Sequence, residues 1–167
     1  MKRAFYFLTL SFFVVIISSS CSKDPESTNQ YNFLSQDLSG EISGREWIYR
    51  SGNAFSFRND SSQQMLDIAL YEHLSLDPCN YAFTGNDVLF IIPNKTGLYE
   101  LQLNFSENEN IQTLTITNDE QENMILSEGA IEIFSIDTVY NIMKGRIDAK
   151  YDNDNFVNGI FEVLLCE

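Results

Sequence analysis

The C-terminal stretch from residue 129 to residue 166 constrains the fold more than any other part of the chain. It is predicted to form three consecutive strands, with turns near Ile136–Thr138 and Asp152–Asn155. On the middle strand, one set of alternate residues is mainly apolar: Met143, Ile147, Ala149 and Tyr151. The other set is charged: Lys144, Arg146, Asp148 and Lys150. A period of two indicates a strand with one buried face.

The last of these strands, Asn158–Cys166, has apolar residues on both faces. Such a pattern is typical of a strand that lies centrally in a sheet or is covered on both sides. We expect Cys166 to fix the far end of this strand.

Shorter strand patterns recur through the rest of the chain, about every ten residues, with turn residues between them. The predicted segments are Glu41–Arg50, Ala54–Arg58, Gln64–Glu72, Val88–Pro93, Leu98–Phe105, Ile111–Thr117 and Met124–Ser127. Ser51-Gly52-Asn53 is predicted to be a turn, because Gly and Asn accept positive φ. For Gln64–Glu72 a short helix is the alternative. The pattern predicts an all-β fold, a single antiparallel β-sandwich or barrel of about nine or ten short strands with a C-terminal meander.

The N-terminus has the pattern of an export signal. Lys2 and Arg3 precede an apolar run from Ala4 to Ile17, which is too short to span a bilayer comfortably. We therefore assign residues 1–20 to a signal peptide. Ser18-Ser19-Ser20 directly before Cys21 resembles the bacterial lipobox, in which the cysteine thiol is lipidated and becomes the mature N-terminus. The alternative is an ordinary secreted protein that is cleaved nearby.

Residues 21–40 are mainly polar after the cysteine and are predicted to be a flexible tether, in which Phe33 and Leu34 could dock locally on the domain. The folded domain is expected to span residues 41–167. Removing residues 1–20 takes away two of the 10 basic residues and none of the 24 acidic ones, which leaves a formal charge of 8 − 24 = −16. Such a charge repels nucleic acid and anionic membrane surfaces. It serves solubility or attracts a cationic partner.

Several motifs resemble small β-rich lipoproteins of the Bacteroidota. They are Gly40–Trp47, Ser51–Phe55, Gly129–Ile133, Gly145–Ala149 and Val157–Phe161. The Lys23-Asp24 pair after Cys21 is also similar to the surface-export signal of lipoproteins in that phylum. The resemblance implies a β-rich fold and an outer-membrane location, on either the periplasmic or the cell-surface side, and it implies no activity.

Two cysteines, Cys79 and Cys166, remain once Cys21 is assigned to the lipid. An even pair in an oxidising compartment favours a disulfide, and two buried free thiols are the alternative. Two cysteines and one histidine lack the spacing of a metal site, so no cofactor or metal is predicted.

Other candidate site residues each have a structural interpretation that is favoured over a functional one. His73 beside Glu72 fits a surface loop better than a proton-transfer group. Asp148, Asp152 and Asp154 could hold Ca²⁺ weakly, but Asp is also a residue that turns prefer. Lys144 and Arg146 could bind an anion, although cross-strand ion pairs are commoner. The aromatic residues Trp47, Tyr49, Phe55 and Phe57 could line a cleft, but core packing is expected.

No catalytic motif is recognisable, and we therefore expect a lipid-anchored, non-enzymatic domain with a binding or structural role. Its ligand would be a protein or a glycan. Two alternatives stay open: an inhibitor of a cationic envelope enzyme such as lysozyme, which the negative charge would attract, and a glycan-active enzyme.

Overall fold

The structure is a computed structural model that describes residues 31–80, 85–103 and 111–166. Within these ranges the regular structure consists of twelve strands and a single 3₁₀ turn, Pro78–Asn80. The strands are β1 (Ser39–Ile42), β2 (Arg45–Ile48), β3 (Ser51–Arg58), β4 (Gln64–Tyr71), β5 (Asp87–Pro93), β6 (Gly97–Leu101), β7 (Ile111–Gln112), β8 (Leu114–Thr117), β9 (Asn123–Leu126), β10 (Glu128–Asp137), β11 (Ile142–Lys150) and β12 (Phe156–Cys166). The predicted all-β class is confirmed.

All twelve strands belong to one sheet, which curls into half of a barrel. The main path has the order β7-β6-β10-β11-β12-β3-β4-β5-β8-β9, and the pair β1 and β2 branches from β12. The prediction of a purely antiparallel sheet is wrong, because β12 pairs with β3 in parallel and β6 pairs with β7 in parallel. The β12–β3 pair joins the last strand to an early one, so the connection between them crosses most of the sheet. Local sequence patterns do not indicate such a crossover.

The C-terminal meander is confirmed. Strands β10, β11 and β12 pair antiparallel in sequence order, and Ile147 has Ile131 and Gly159 as its two cross-strand neighbours. The alternation on β11 separates buried Met143, Ile147 and Ala149 from the charged positions between them, as the sequence indicates. Tyr151 is an exception, because it lies in the turn after β11 and is exposed.

The concave side of the sheet, hereafter the inner face, encloses the core. It is formed by buried aliphatic and aromatic side chains, among them Leu66, Ile68, Phe90, Ile116, Ile131, Ile147 and Phe161. The Phe90 and Phe161 rings meet edge to face at 5.9 Å. Gly145 lies directly opposite Phe161 on the neighbouring strand, and a Cβ there would approach the ring to 2.6 Å. The glycine therefore makes room for the ring in the core.

Strand β12 is central, as predicted, but it is not covered equally on both sides. Its inward residues Val157, Phe161 and Val163 are buried, whereas Ile160 and Leu164 on the opposite side remain more than a third exposed. This opposite side of the sheet is the outer face.

The segment 31–38, hereafter the strap, crosses the outer face of β11 and β12 at Asn32–Leu34 and then pairs with the edge of β12 at Gln36–Leu38. Leu38 is fully buried, and its backbone N–H donates to Ile160, while the N–H of Ile160 donates to Gln36. Gly159 has φ +138°, and a Cβ there would come within 2.8 Å of the strap backbone. The predicted tether therefore ends too late at residue 40, because its last residues form the strap and the start of β1.

Two predicted boundaries also change between residues 41 and 58. The single strand predicted for Glu41–Arg50 is divided by a tight turn at Ser43-Gly44, where both residues have positive φ. The turn predicted at Ser51-Gly52-Asn53 is wrong, because these residues start β3 and pair with Ala69–Tyr71 on β4.

Candidate functional site

The disulfide between Cys79 and Cys166 is present, as the sequence predicts, with a Cα–Cα separation of 5.7 Å. It joins the 3₁₀ turn to the end of β12. The buried Asn53 amide donates to the Pro78 carbonyl at 2.6 Å, and the Ser51 hydroxyl donates to the His73 carbonyl at 2.6 Å. One covalent bond and two buried polar groups thus hold the loop after β4 against the outer face of β3.

Strand β12 changes partners along its length, and this leaves an interruption in the sheet. It pairs with β1 and the strap up to Ile160, and with β3 from Leu164 onward. Between these two paired stretches of β12, the Glu162 carbonyl accepts a hydrogen bond from the Tyr49 hydroxyl and not from the backbone N–H of a neighbouring strand. Burial, reinforced by the nearby Glu162 carboxylate, raises the pKa of Tyr49 well above its usual value.

A cleft of about 690 Å³ opens at this interruption and is hereafter the Tyr49 cleft. Its lining residues are Asp37, Tyr49, Arg50, Leu74, Lys144, Ile160, Phe161 and Glu162. The volume is within the range of small-molecule sites, which combine apolar walls with a few polar groups.

The charged groups of the Tyr49 cleft differ in their pairing. Lys144 and Glu162 form an ion pair at 2.6 Å. Arg50 and Asp37 are exposed, and neither side chain has a hydrogen bond or an ion pair within the described residues. The Tyr49 cleft therefore offers one cation and one anion to a ligand beside the apolar side chains of Leu74 and Ile160.

The four aromatic residues that the sequence grouped together separate in the structure. Trp47 is buried in the core and donates its indole N–H to the Asn86 carbonyl at 2.7 Å, while Tyr49 bounds the cleft. The prediction that Phe55 and Phe57 pack in the core is wrong, because both lie on the outer face with exposed fractions of 37% and 38%. The inward position between Phe55 and Asn53 is taken by the small Ala54, which faces Ile68.

The cross-strand interpretation of Lys144 and Arg146 is confirmed. Lys144 pairs with Glu162 on β12, and Arg146 pairs with Glu132 on β10, each being a direct cross-strand neighbour. The Arg146 guanidinium also lies 4.4 Å from the centre of the Phe33 ring in the strap. The carboxylates of Glu132 and Glu162 are thus each paired with a cation.

The three aspartates considered for Ca²⁺ have separate roles. Asp148 accepts hydrogen bonds from the Asn158 amide and the Asn32 backbone N–H, both at 2.8 Å. Asp152 accepts from the Asp154 N–H and the Asn155 amide within the turn, as Asp does in Asx turns. Asp154 is exposed in the same turn. Over the described ranges, no three His, Cys, Asp or Glu side chains are grouped to hold a metal ion.

His73 lies at the surface, as predicted, with its Nε2 3.9 Å from the Glu72 carboxylate. Its backbone carbonyl, rather than its ring, contributes to the structure by accepting the hydrogen bond from Ser51.

Three residues of interest were missed by sequence reasoning, namely Asp37, Arg50 and Asp67. Asp37 falls in the predicted tether, and Arg50 ends a predicted strand. Asp67 is an outward residue of β4 between two apolar neighbours. The sequence does carry one indication for Asp67, since it is a charged residue within a strand that is otherwise rich in apolar residues.

The predicted signal peptide and Cys21 lie outside the described residues. In the part of the chain that the structure covers, no helix has the length and apolar character needed to cross a membrane. No known protein family matches the chain, and neither a curated protein nor a solved structure is detectably similar to it.

Proposed function

We propose that this protein is a lipid-anchored, non-enzymatic binding protein of the bacterial outer membrane, and that the Tyr49 cleft is its ligand site. The lipobox-like sequence before Cys21 supports the anchor, on either the periplasmic or the cell-surface side. The cleft supports a binding role.

The observation that carries the proposal is the coexistence of unpaired opposite charges and apolar walls in one cavity. Arg50 suits a carboxylate, Asp37 suits an ammonium group, and Leu74 and Ile160 suit an apolar body. These features fit an amphiphilic zwitterion, and a short apolar peptide with free termini has this chemistry.

The binding test uses the chain from residue 21 with Cys21→Ser, so that it is soluble. Dipeptides such as Leu-Leu are titrated by calorimetry beside the same dipeptides with acetylated and amidated termini. We expect the free-termini dipeptides to bind, and the blocked ones to bind at least about tenfold more weakly, which corresponds to about 1.4 kcal/mol.

Arg50→Gln should weaken binding of the free dipeptides. The matched control is Arg58→Gln, because Arg58 is exposed, donates to the Ser62 carbonyl and does not line the cleft. Equal binding by free and blocked dipeptides, absence of binding, or equal effects of the two substitutions would contradict the proposal.

The anchor is tested separately. Cys21→Ala should abolish labelling by a radioactive fatty acid and release the protein into soluble fractions. Wild-type protein that takes up no label would refute the lipoprotein assignment without bearing on the cleft.

A further inference from the structure

Within the described residues, the strap covers the outer face over β11 and β12, and the loop after β4 covers the start of β3. Over β11 and β12 the strap is fastened by the Asn32 and Leu34 backbone N–H groups, which donate to Asp148 and Asn158 at 2.8 and 2.9 Å. Phe33 packs under Arg146 in the same region. Beyond β12 the outward side chains of β3, β4 and β5 include several apolar residues that stay more than a third exposed.

These outward side chains form a patch that the strand registers define. Phe55, Asp67 and Ile91 are direct cross-strand neighbours on β3, β4 and β5, and the adjacent row consists of Phe57, Met65 and Pro93. Phe55, Phe57 and Ile91 have exposed fractions of 37%, 38% and 42%. Met65 is buried between them, and we call the exposed residues Phe55, Phe57, Asp67 and Ile91 the outer patch.

Asp67 is the one ionisable residue of the outer patch. Its carboxylate has no hydrogen bond and no ion pair within the described residues. Its nearest cross-strand neighbours, Phe55 and Ile91, are apolar, and partial burial among the surrounding groups raises its pKa. A carboxylate in such surroundings gains more from an external cation than a fully solvated one does.

We propose that the outer patch is a docking surface for a basic protein, which places a Lys or Arg side chain on Asp67 beside Phe55 and Phe57. The carboxylate supplies the charge for that cation, the aromatic rings attract it through their π faces, and the exposed Ile91 takes up an apolar neighbour. The formal charge of the whole chain, −14, attracts a basic partner over longer distances. A cationic envelope enzyme belongs to this class of partner.

This surface is separate from the Tyr49 cleft, since none of the outer-patch residues lines that cleft. The two proposals therefore fail or stand independently.

The test measures binding of two capped tripeptides, Leu-Lys-Leu and its analogue with norleucine in place of lysine. Norleucine keeps most of the apolar length and removes the charge. Amide chemical shifts of the isotope-labelled chain from residue 21, carrying Cys21→Ser, report where each peptide binds. We expect the lysine peptide to shift the amides of Phe55, Asp67 and Ile91 and to bind at least about threefold tighter than the norleucine peptide.

Asp67→Asn should remove this preference for lysine, and Phe57→Ser should weaken both peptides. Asp60→Asn is the matched control, because Asp60 is an exposed turn residue outside the outer patch, and its loss changes the net charge equally. The amide spectrum of each variant shows whether it is folded.

Three outcomes would overturn the proposal. The first is equal affinity of the wild type for the two peptides. The second is an effect of Asp67→Asn no greater than that of Asp60→Asn. The third is the absence of shifts at the outer patch at millimolar peptide.

Discussion

Removal of the Cys79–Cys166 disulfide should destabilise this domain more than any surface substitution. The bond closes a loop with a sequence separation of 87 residues. The chain-entropy relation assigns a loop of this length about 4.6 kcal/mol at 25 °C, because the reduced unfolded chain has more conformations. For a domain of this size the melting temperature falls by about 2–4 °C for each kcal/mol, so the expected decrease is about 9–18 °C.

The structure also predicts where the reduced protein loosens first. The disulfide fastens the 3₁₀ turn to the last residues of β12, where β12 has its only three register pairs with β3, Leu164–Cys166. Asn53 and Ser51 keep their hydrogen bonds to the loop, so the strands themselves should persist at room temperature. We therefore expect amide exchange to rise most around the first residues of β3 and the last residues of β12.

The assay is urea unfolding of the oxidised chain and of a Cys79→Ser/Cys166→Ser variant, each with and without reductant. Reductant should lower the stability of the first protein to about that of the second and leave the second unchanged. A difference below about 1 kcal/mol would refute the entropic argument. Uniformly increased exchange over the whole sheet would refute the proposed location.

Two further predictions concern the core and the sheet interruption. Gly145→Ala should lower the free energy of unfolding by about 1–3 kcal/mol, because the added Cβ would lie 2.6 Å from the Phe161 ring and 2.8 Å from the Glu132 carbonyl. The control is Gly97→Ala, whose Cβ would have its nearest contact at 3.6 Å. It should change the free energy of unfolding by less than about 1 kcal/mol. Equal effects in urea unfolding would contradict the close contact. Tyr49→Phe should cost about 1–3 kcal/mol at neutral pH, because the Glu162 carbonyl loses its donor. Since the folded pKa of Tyr49 is raised above the ordinary value of 10.0, the wild type should lose stability relative to Tyr49→Phe as the pH rises above 10.0, and a constant difference would refute this assignment.

The features that the sequence predicts well are local or depend on residue counts. The meander follows from alternation on β11, where a one-residue shift would turn Lys144 and Arg146 into the core. The disulfide follows from the two cysteines that remain once Cys21 is assigned to the predicted lipid anchor of a chain that is expected to be exported. Neither inference needs the positions of distant strands.

The features that the sequence does not predict depend on long-range pairing. Nothing local to Leu164–Cys166 indicates a parallel partner more than a hundred residues earlier in the chain, at Asn53–Phe55. For the strap, the sequence predicts only local docking by Phe33 and Leu34, because the deeply buried Leu38 follows three polar residues and no alternation indicates a strand there. Period-two alternation also leaves the choice of face open. On β3 the small Ala54 faces inward, opposite Ile68, and the larger Phe55 and Phe57 face outward.

If the chain is anchored at Cys21 as proposed, the strap determines from which side of the domain the chain leaves toward the membrane. The chain from Cys21 to Tyr31 has ten residue steps and therefore spans at most about 35 Å, close to the diameter of a domain of this size. The strap enters over β11, since Asn32 is bound to Asp148 there, so the anchor would leave the domain from the covered side of the outer face. The outer patch lies beyond β12, on β3, β4 and β5, and the Tyr49 cleft lies between the two regions. A partner at the outer patch would therefore not compete with the anchor for the same surface. Changing the length of residues 22–30 should alter how far the patch reaches from the membrane, but not its affinity for a partner in solution.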